Sequence, residues 1–380
     1  MTTRIAHVTT VHSRNDTRIR IKECATVAQL SNVEAILVVQ DGGGDEYQTA
    51  DCVRVVDVGA PPAGRVPRWA FGVIRMWSMI QSLKIDIVHI HDPELIPLGM
   101  VLKLARIRVV YDVHEDLPKQ ILSKFWIPKA LRKSLSFAAS ACEWIAGLSF
   151  DAIVVATPSI AARFPKHKSA LVQNYPLLNE LHRSSPLPMR SRPDYAAYVG
   201  GLSAIRGAFQ MLDALELLPP ECRLRLRLGG DITPVSLREE LTNRQGWSRV
   251  DDLGWIGRAE VASELASARM GLLLFLPEPN HVSAQPNKMF EYMSAGLPII
   301  ASDFPLWRRI ITDANCGVLV DPLDPAAIAE AMLWMLENPT EAEAMGLRGR
   351  GAIEEKFNWE TESSALRHLY VGRLIDPEAA

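Results

Sequence analysis

Phe275-Leu-Pro-Glu-Pro-Asn-His-Val-Ser-Ala-Gln-Pro-Asn-Lys-Met-Phe-Glu-Tyr-Met-Ser-Ala-Gly-Leu-Pro-Ile-Ile-Ala301 carries three signals in succession. An apolar run closes at Phe275, a polar loop of about a dozen residues follows, and a helical pattern beginning at Lys288 gives way at Gly296-Leu-Pro298 to a second apolar run. Strand, loop, helix and strand in that order make one turn of a parallel α/β sheet. Ligands bind such sheets at the carboxyl ends of the strands, where helix N-termini present unpaired N–H groups. Lys288, in the first helical turn, and those N–H groups suit a diphosphate. Glu291, one turn on, can accept hydrogen bonds from the two hydroxyls of a ribose. The alternative is a solvent-exposed i,i+3 ion pair between Lys288 and Glu291, and the long polar loop ahead of the helix favours the functional reading.

The same alternation runs outward in both directions. Downstream, strands are predicted at Tyr195–Val199, Arg223–Leu228, Met270–Phe275, Pro298–Ala301 and Gly317–Val320, with helices at Gly207–Leu218, Leu237–Asn243, Lys288–Ser294, Ala326–Leu336 and Glu360–Leu374. Upstream, strands are predicted at Ile5–Thr9, Glu34–Val39, Val53–Val58, Ile87–His91, Val109–Val113 and Ala152–Ala156, with helices at Ile19–Leu30, Trp69–Ser82, Pro97–Ala105 and Pro128–Leu148. Between the halves, Leu187-Pro-Met-Arg-Ser-Arg-Pro193 interrupts both periods and reads as a linker. The expectation is two Rossmann-like α/β domains, residues 1–190 and 191–358, with a helix in 359–380 packing back on the first.

A chain of 380 residues with 48% hydrophobic content is long enough for two cores. Its net charge of −3 divides unevenly: residues 1–190 hold 23 Lys+Arg against 17 Asp+Glu, and residues 191–380 hold 18 against 27, so the halves carry +6 and −9. A basic half can face anionic headgroups or phosphorylated substrates, and such a difference is also ordinary between soluble domains. No nucleic-acid partner is expected. Five scattered cysteines fit reduced thiols in a cytosol. The N-terminus lacks the apolar core of a secretory signal and no apolar run reaches ~18 residues, so any membrane contact is expected to be peripheral, at the inner face. The helix over Pro128–Leu148, with Lys129, Arg132 and Lys133 at its start, is the candidate surface, and the alternative is a core helix packed through the small residues of 138–141.

In the first half, Ile87-Val-His-Ile-His-Asp-Pro93 and Val109-Val-Tyr-Asp-Val-His-Glu-Asp116 place His89, His91, Asp92, His114 and Glu115 at the carboxyl ends of apolar strands. These are metal-ligand types without a recognised short-range spacing, and no metal site is expected. His91 reads as a strand-end histidine satisfied by local backbone. The first turn, Thr9-Thr-Val-His-Ser-Arg-Asn-Asp-Thr-Arg18, lacks Gly-x-Gly-x-x-Gly, which argues against a nicotinamide cofactor. His12, Asp16 and Arg18 are polar groups suited to an acceptor or to phosphates, with helix capping by Asp16 and Thr17 as the alternative.

Pro286-Asn-Lys-Met-Phe-Glu-Tyr-Met-Ser-Ala-Gly-Leu-Pro-Ile-Ile-Ala-Ser-Asp303 resembles the C-terminal signature of the family 4 retaining glycosyltransferases, whose GT-B fold has two Rossmann-like domains facing across a cleft. The likeness continues through Tyr198-Val-Gly-Gly201, Arg206-Gly207, Leu228-Gly-Gly230, Gly254-Trp-Ile-Gly257 and the helix at Trp359. It implies that Glu291 is the second acid of a Glu-x7-Glu pattern and binds the donor ribose. The first acid position is Ser283, so Glu278 or His281 in the same loop would substitute. It implies that Arg206 stands where the family carries a diphosphate-binding Lys, and Gly201 where it carries an Arg, leaving Lys288 to supply the second cation. Gly200 and Asn287 complete the implied donor site. In the first half the likeness gives His114 the part of the histidine that contacts the donor sugar, with Glu115 and Asp116 orienting it or meeting the acceptor.

The reaction so implied is transfer of a sugar from a nucleotide-sugar to a hydroxyl of a saccharide or lipid-linked saccharide. Retention would follow from attack on the face the phosphate leaves, with His114, Arg206 and Lys288 as the catalytic groups. No Asp-x-Asp triplet lies near the donor loop, and neither cofactor nor metal is expected. A sugar-nucleotide epimerase of the same fold, or a catalytically silent sugar-nucleotide-binding subunit, are the alternatives.

Overall fold

Ile36–Val39 and Ile87–Ile90 are buried at every position, and strands of that kind must be covered on both faces. The computed structural model, which describes residues 2–47, 50–124, 127–182 and 187–375, covers them by setting helices against two parallel sheets. β1 (Thr3–Val8), β2 (Val33–Val39), β3 (Arg54–Asp57), β4 (Ile87–Ile90), β5 (Arg108–Val113), β6 (Ala152–Val155) and β7 (Ser169–Leu171) form the first, in the order β3-β2-β1-β4-β5-β6-β7. The second comprises β8 (Tyr195–Val199), β9 (Arg225–Gly229), β10 (Val250–Gly254), β11 (Met270–Leu273), β12 (Ile299–Ser302) and β13 (Gly317–Val320), in the order β10-β9-β8-β11-β12-β13. In each sheet the order reverses beside the first strand, between β1 and β4 and between β8 and β11, and such switch points open a crevice at the strands' carboxyl ends.

The chain divides into two compact units. One runs to Asn174 and takes the chain up again at Trp359, and the other is Tyr175–Asn358. The stretch 187–193, read as the linker, lies inside the second unit. Arg192 donates to the Ala268 carbonyl at 2.8 Å and Met189 N–H to Glu343 at 3.2 Å. Proline breaks its regularity without detaching it, and the division comes earlier because Tyr175 and Leu181 are already buried in the second unit's core.

The helix Trp359–Leu369 and the π-helical turn Tyr370–Ile375 belong to the first unit. Trp359 Nε1 donates to Thr26 Oγ1 at 3.1 Å, Gln173 N–H to Glu362 at 2.8 Å, and Arg108 to the Leu374 carbonyl at 2.7 Å. Residues 376–380 lie outside the described residues.

Three further differences from the sequence reading have physical causes. The segment predicted as one helix from Ile19 is a π-helix over Thr17–Cys24 followed by a short α-helix, Ala25–Ala28, with Asp16 capping its start through bonds from Arg18 and Ile19 N–H, both 2.9 Å. The helix Pro339–Glu355 lacks a strong apolar stripe because it approaches through glycine: a Cβ on Gly346 would stand 2.1 Å from the Gly296 carbonyl oxygen. The helix Lys129–Ser149 is not a core helix. Only Glu143, Ala146 and Gly147 are buried along it, while Leu131, Leu135, Phe137, Trp144, Ile145 and Leu148 are exposed. No helix among the described residues is long and apolar enough to cross a membrane.

Candidate active site

In the second unit, the loop after β8 and the loop after β11 meet at the switch point. Gly200 has φ +89° and a Cβ there would stand 3.0 Å from Lys288 Nζ, so glycine lets the strand end and the ammonium approach. Beside it, Arg206 donates to the Gly201 carbonyl at 2.6 Å. Gly207, at φ +81°, starts the helix Ala208–Glu216, and a Cβ on it would stand 2.0 Å from the Leu274 carbonyl oxygen. Leu276 N–H closes the two loops together on Ile205 at 2.9 Å. Further anchors fix the loop after β11: Ser302 Oγ bonds the Phe275 carbonyl at 2.7 Å and Trp307 Nε1 the Ala284 carbonyl at 2.8 Å.

Lys288 lies over the rings of Tyr198 and Phe275, at 5.0 and 5.9 Å, and Arg206 lies over Phe275 at 5.6 Å. Burial first, and then the Arg206 charge, pull the Lys288 pKa down to about 8. Among the described residues neither cation is in an ion pair with a carboxylate. The i,i+3 pair with Glu291 does not form: Glu291 Oε1 accepts instead from Arg258 at 2.7 Å, and Arg258 also holds Glu180 at 2.7 Å. Sequence reading missed Arg258, because only the packing of its helix brings it to Glu291.

Of the two substitutes considered for the charge missing at Ser283, His281 is turned inward. It is buried, 4.8 Å from the Phe275 ring, and shares a 3.1 Å hydrogen bond with the Leu276 carbonyl. Burial lowers its pKa, so it brings no positive charge. Glu278 is half-buried at the start of the short helix Pro279–Val282, and Ser283 ends that helix. Asn287 opens the helix Asn287–Ser294 and is exposed.

In the first unit, the strand order 2-1-4-5 places a polar cluster inside the sheet. Arg18 forks onto Asp112 at 2.9 and 2.7 Å, and Asp112 also bonds His91 Nδ1 and His114 Nδ1, each at 3.2 Å. Burial opposes ionisation of Asp112, and the Arg18 guanidinium overrides it, holding the carboxyl well below the usual range. Arg18 was expected at the acceptor; it is 5% exposed and committed to Asp112 and Glu23, so it supports the site from behind. His91 was expected to be satisfied by backbone, and its partners are Asp112 and His7. His114 is oriented by Asp112, not by Glu115, which is exposed, nor by Asp116, which pairs with Arg163 and Lys119.

His12 stands beside this group, 3.3 Å from Asp16, 3.5 Å from Asp92 and with its ring 5.2 Å from that of His114. The hydrogen bond to Asp16, opposed by burial and aided by the Asp92 charge, raises its pKa above the ordinary value. Asp16 caps the π-helix, the alternative given for it, and also bonds His12. The structure thus gathers His12, Asp16 and His114 at the ends of β1 and β5, and Gly200, Gly201, Arg206 and Lys288 at the end of β8.

Comparison with known proteins agrees with this architecture. Residues 193–338 match the sequence model of "Glycosyl transferases group 1" and residues 19–170 that of "Glycosyltransferase Family 4". A phosphatidyl-myo-inositol mannosyltransferase of Mycobacterium leprae is 24% identical over 306 residues, 78% of this chain and 75% of that one. Among solved structures, sucrose-phosphate synthase from Thermosynechococcus elongatus superposes with a TM-score of 0.74 at 18% identity, covering 97% and 98% of the two chains. HepE of Anabaena in complex with UDP-glucose gives 0.71 at 13% identity, covering 96% and 98%. The two sequence matches span most of the chain, each on one of the two parallel-sheet units, and the chain belongs to the family 4, group 1 glycosyltransferases of GT-B fold.

Proposed function

We propose that this glycosyltransferase takes its sugar from a nucleotide-sugar and transfers it with retention to a hydroxyl of a saccharide or lipid-linked saccharide of the bacterial surface. The observation that carries the reading is the cation pair Arg206 and Lys288, unmatched by a carboxylate and set against Gly200 and Gly201 at the β8–β11 switch point. Two adjacent half-buried cations repel each other, and a diphosphate relieves both at once. The leaving nucleoside diphosphate would then depart with its charge stabilised by fixed groups, and no metal is needed on it. Glu291, held by Arg258, is the acceptor for ribose hydroxyls. His114, held by Asp112, is the first unit's group for the sugar, with His12, Asp16 and Glu115 toward the acceptor.

Support for the donor class comes from HepE, solved with UDP-glucose, and for a lipid acceptor from the name of the mycobacterial relative. The exposed apolar residues of Lys129–Ser149, with Lys129 and Lys133 exposed at its start, suit a peripheral position on an anionic leaflet.

The test is binding and turnover across UDP-, GDP- and ADP-sugars by the native chain and by Glu291→Ala. One nucleotide is expected to bind, and Glu291→Ala to weaken it by about 1–3 kcal/mol through the lost hydrogen bonds. Equal affinity in native and variant protein would remove Glu291 from the ribose.

A further inference from the structure

Behind the groups already assigned, the core of the first unit holds a second polar cluster that glycosyl transfer does not use. His7 on β1, Glu23 on the π-helix, and His89 and His91 at the end of β4 are all 0% exposed. One ligand-type atom from each lies within 4.8 Å of those of the other three. The rings of His89 are 4.7 Å from His7 and 4.6 Å from His91.

Hydrogen bonding fixes which nitrogens face inward. Asp112 is a carboxylate held by Arg18, so His91 Nδ1 donates to it. His91 Nε2 is therefore an acceptor, and His7 Nδ1 donates to it at 2.9 Å. His7 Nε2 is left carrying a lone pair, buried and with no hydrogen-bond partner. His89 Nδ1 is occupied by the Tyr370 hydroxyl at 2.8 Å, and His89 Nε2 is likewise buried without a partner, 3.9 Å from Glu23 Oε2. Both Glu23 oxygens lack a hydrogen bond: Arg18 Nε is 3.0 Å from Oε1, but its N–H is directed to Asp112. Two imidazole nitrogens and both Glu23 oxygens thus lie in one buried cluster without a hydrogen-bond partner, Glu23 meeting Arg18 only as an ion pair, an arrangement costly to leave unmet.

We propose that His7, His89 and Glu23 bind a divalent transition cation of the zinc class, with His91 holding His7 in place through its Nε2. A single Lewis acid satisfies all three ligands, and imidazole with carboxylate is a donor set that zinc accepts. The surroundings are those a metal-bound histidine requires: His7 hands its other N–H to His91, which donates in turn to Asp112, and His89 meets the Tyr370 hydroxyl. The π-helical winding over Thr17–Cys24 brings Arg18 and Glu23, five residues apart, onto one face, so that one serves Asp112 while the other points at the histidines. Bond lengths of about 2.0–2.1 Å would draw the ligand atoms closer than they now stand. The ion would tie β1, β4, the π-helix and the C-terminal turn carrying Tyr370 together beneath His114. It shares no residue with the donor site, so the two readings fail separately.

The experiment is metal analysis of the full-length chain, purified without a histidine tag from zinc-supplemented medium, alongside absorption spectroscopy of Co2+-reconstituted protein. Near-stoichiometric zinc, visible cobalt bands of a low-coordinate site, and loss of both in Glu23→Gln and His7→Gln are expected, with the melting temperature falling on treatment with dipicolinate and recovering with Zn2+. Should the variants fail to fold, the zinc content and cobalt spectrum of the native chain still decide. Native protein free of zinc with a featureless cobalt spectrum would overturn the proposal in favour of a buried water or a shared proton. Zinc retained equally by both variants would overturn it in favour of adventitious surface binding.

Discussion

The two sheets reverse their strand order in the same way, yet the polar groups gathered at the two switch points follow opposite rules. In the first unit, Arg18 and Asp112 are both buried and satisfy each other, so the charge is consumed inside the protein. In the second, Arg206 and Lys288 are half-buried and have each other as neighbours instead of a carboxylate. A paired buried charge sets geometry, here that of His91 and His114, whereas an unpaired cation cluster is a standing demand for an anion. One fold therefore holds a paired buried charge in one unit and an unpaired pair of cations in the other.

The comparison breaks first, and with the largest effect, at Asp112. Asp112→Ala leaves the buried Arg18 without its main partner, and a loss of about 3–5 kcal/mol in stability is expected from chemical denaturation of the full chain. The double variant Arg18→Met with Asp112→Leu should recover much of that loss while leaving His114 unoriented, so that stability returns and turnover does not. Recovery of both would make the pair merely structural.

A smaller effect tests the second unit. Lys288 has a lowered pKa, so its charged form is lost as pH rises through about 8, and above that pH Lys288 must take up a proton when an anionic ligand that favours its charged form binds. Donor affinity is expected to be flat below that pH and to fall by up to about tenfold per pH unit above it. The fall should vanish in Lys288→Met, and a native profile flat to pH 9.5 would separate Lys288 from the diphosphate.

The smallest expected effect concerns the surface of the first unit. Sedimentation with vesicles containing phosphatidylglycerol should exceed that with phosphatidylcholine alone by about 1 kcal/mol for each basic residue engaged. Phe137→Ser with Trp144→Ser should reduce it without altering donor binding. Equal sedimentation with both vesicle types would leave the exposed helix face without a lipid role.

Much of this protein was legible in one dimension. Alternating apolar runs predicted nearly every central strand of both sheets, because strands buried on two faces must be apolar throughout. Edge strands such as β7 and β10, partly exposed, left a weaker trace, and the helix Pro339–Glu355 was hidden by glycines chosen for close approach. The candidate site of the second unit was legible because its residues are neighbours in sequence: Lys288 and Glu291 lie on one short helix, and Arg206 immediately precedes the left-handed Gly207.

The histidine cluster was not, because its members are brought together by strand order and register. β1 pairs with β4 so that His7 stands opposite His89, and β4 pairs with β5, which carries Asp112. Local sequence therefore determined two parallel α/β units and the cations Arg206 and Lys288 at the strand ends of the second. Only the tertiary structure decided that Arg18 faces inward, that Asp112 orients His114, and that three histidines and Glu23 share one buried space, since contacts across a parallel sheet join residues that no local period relates.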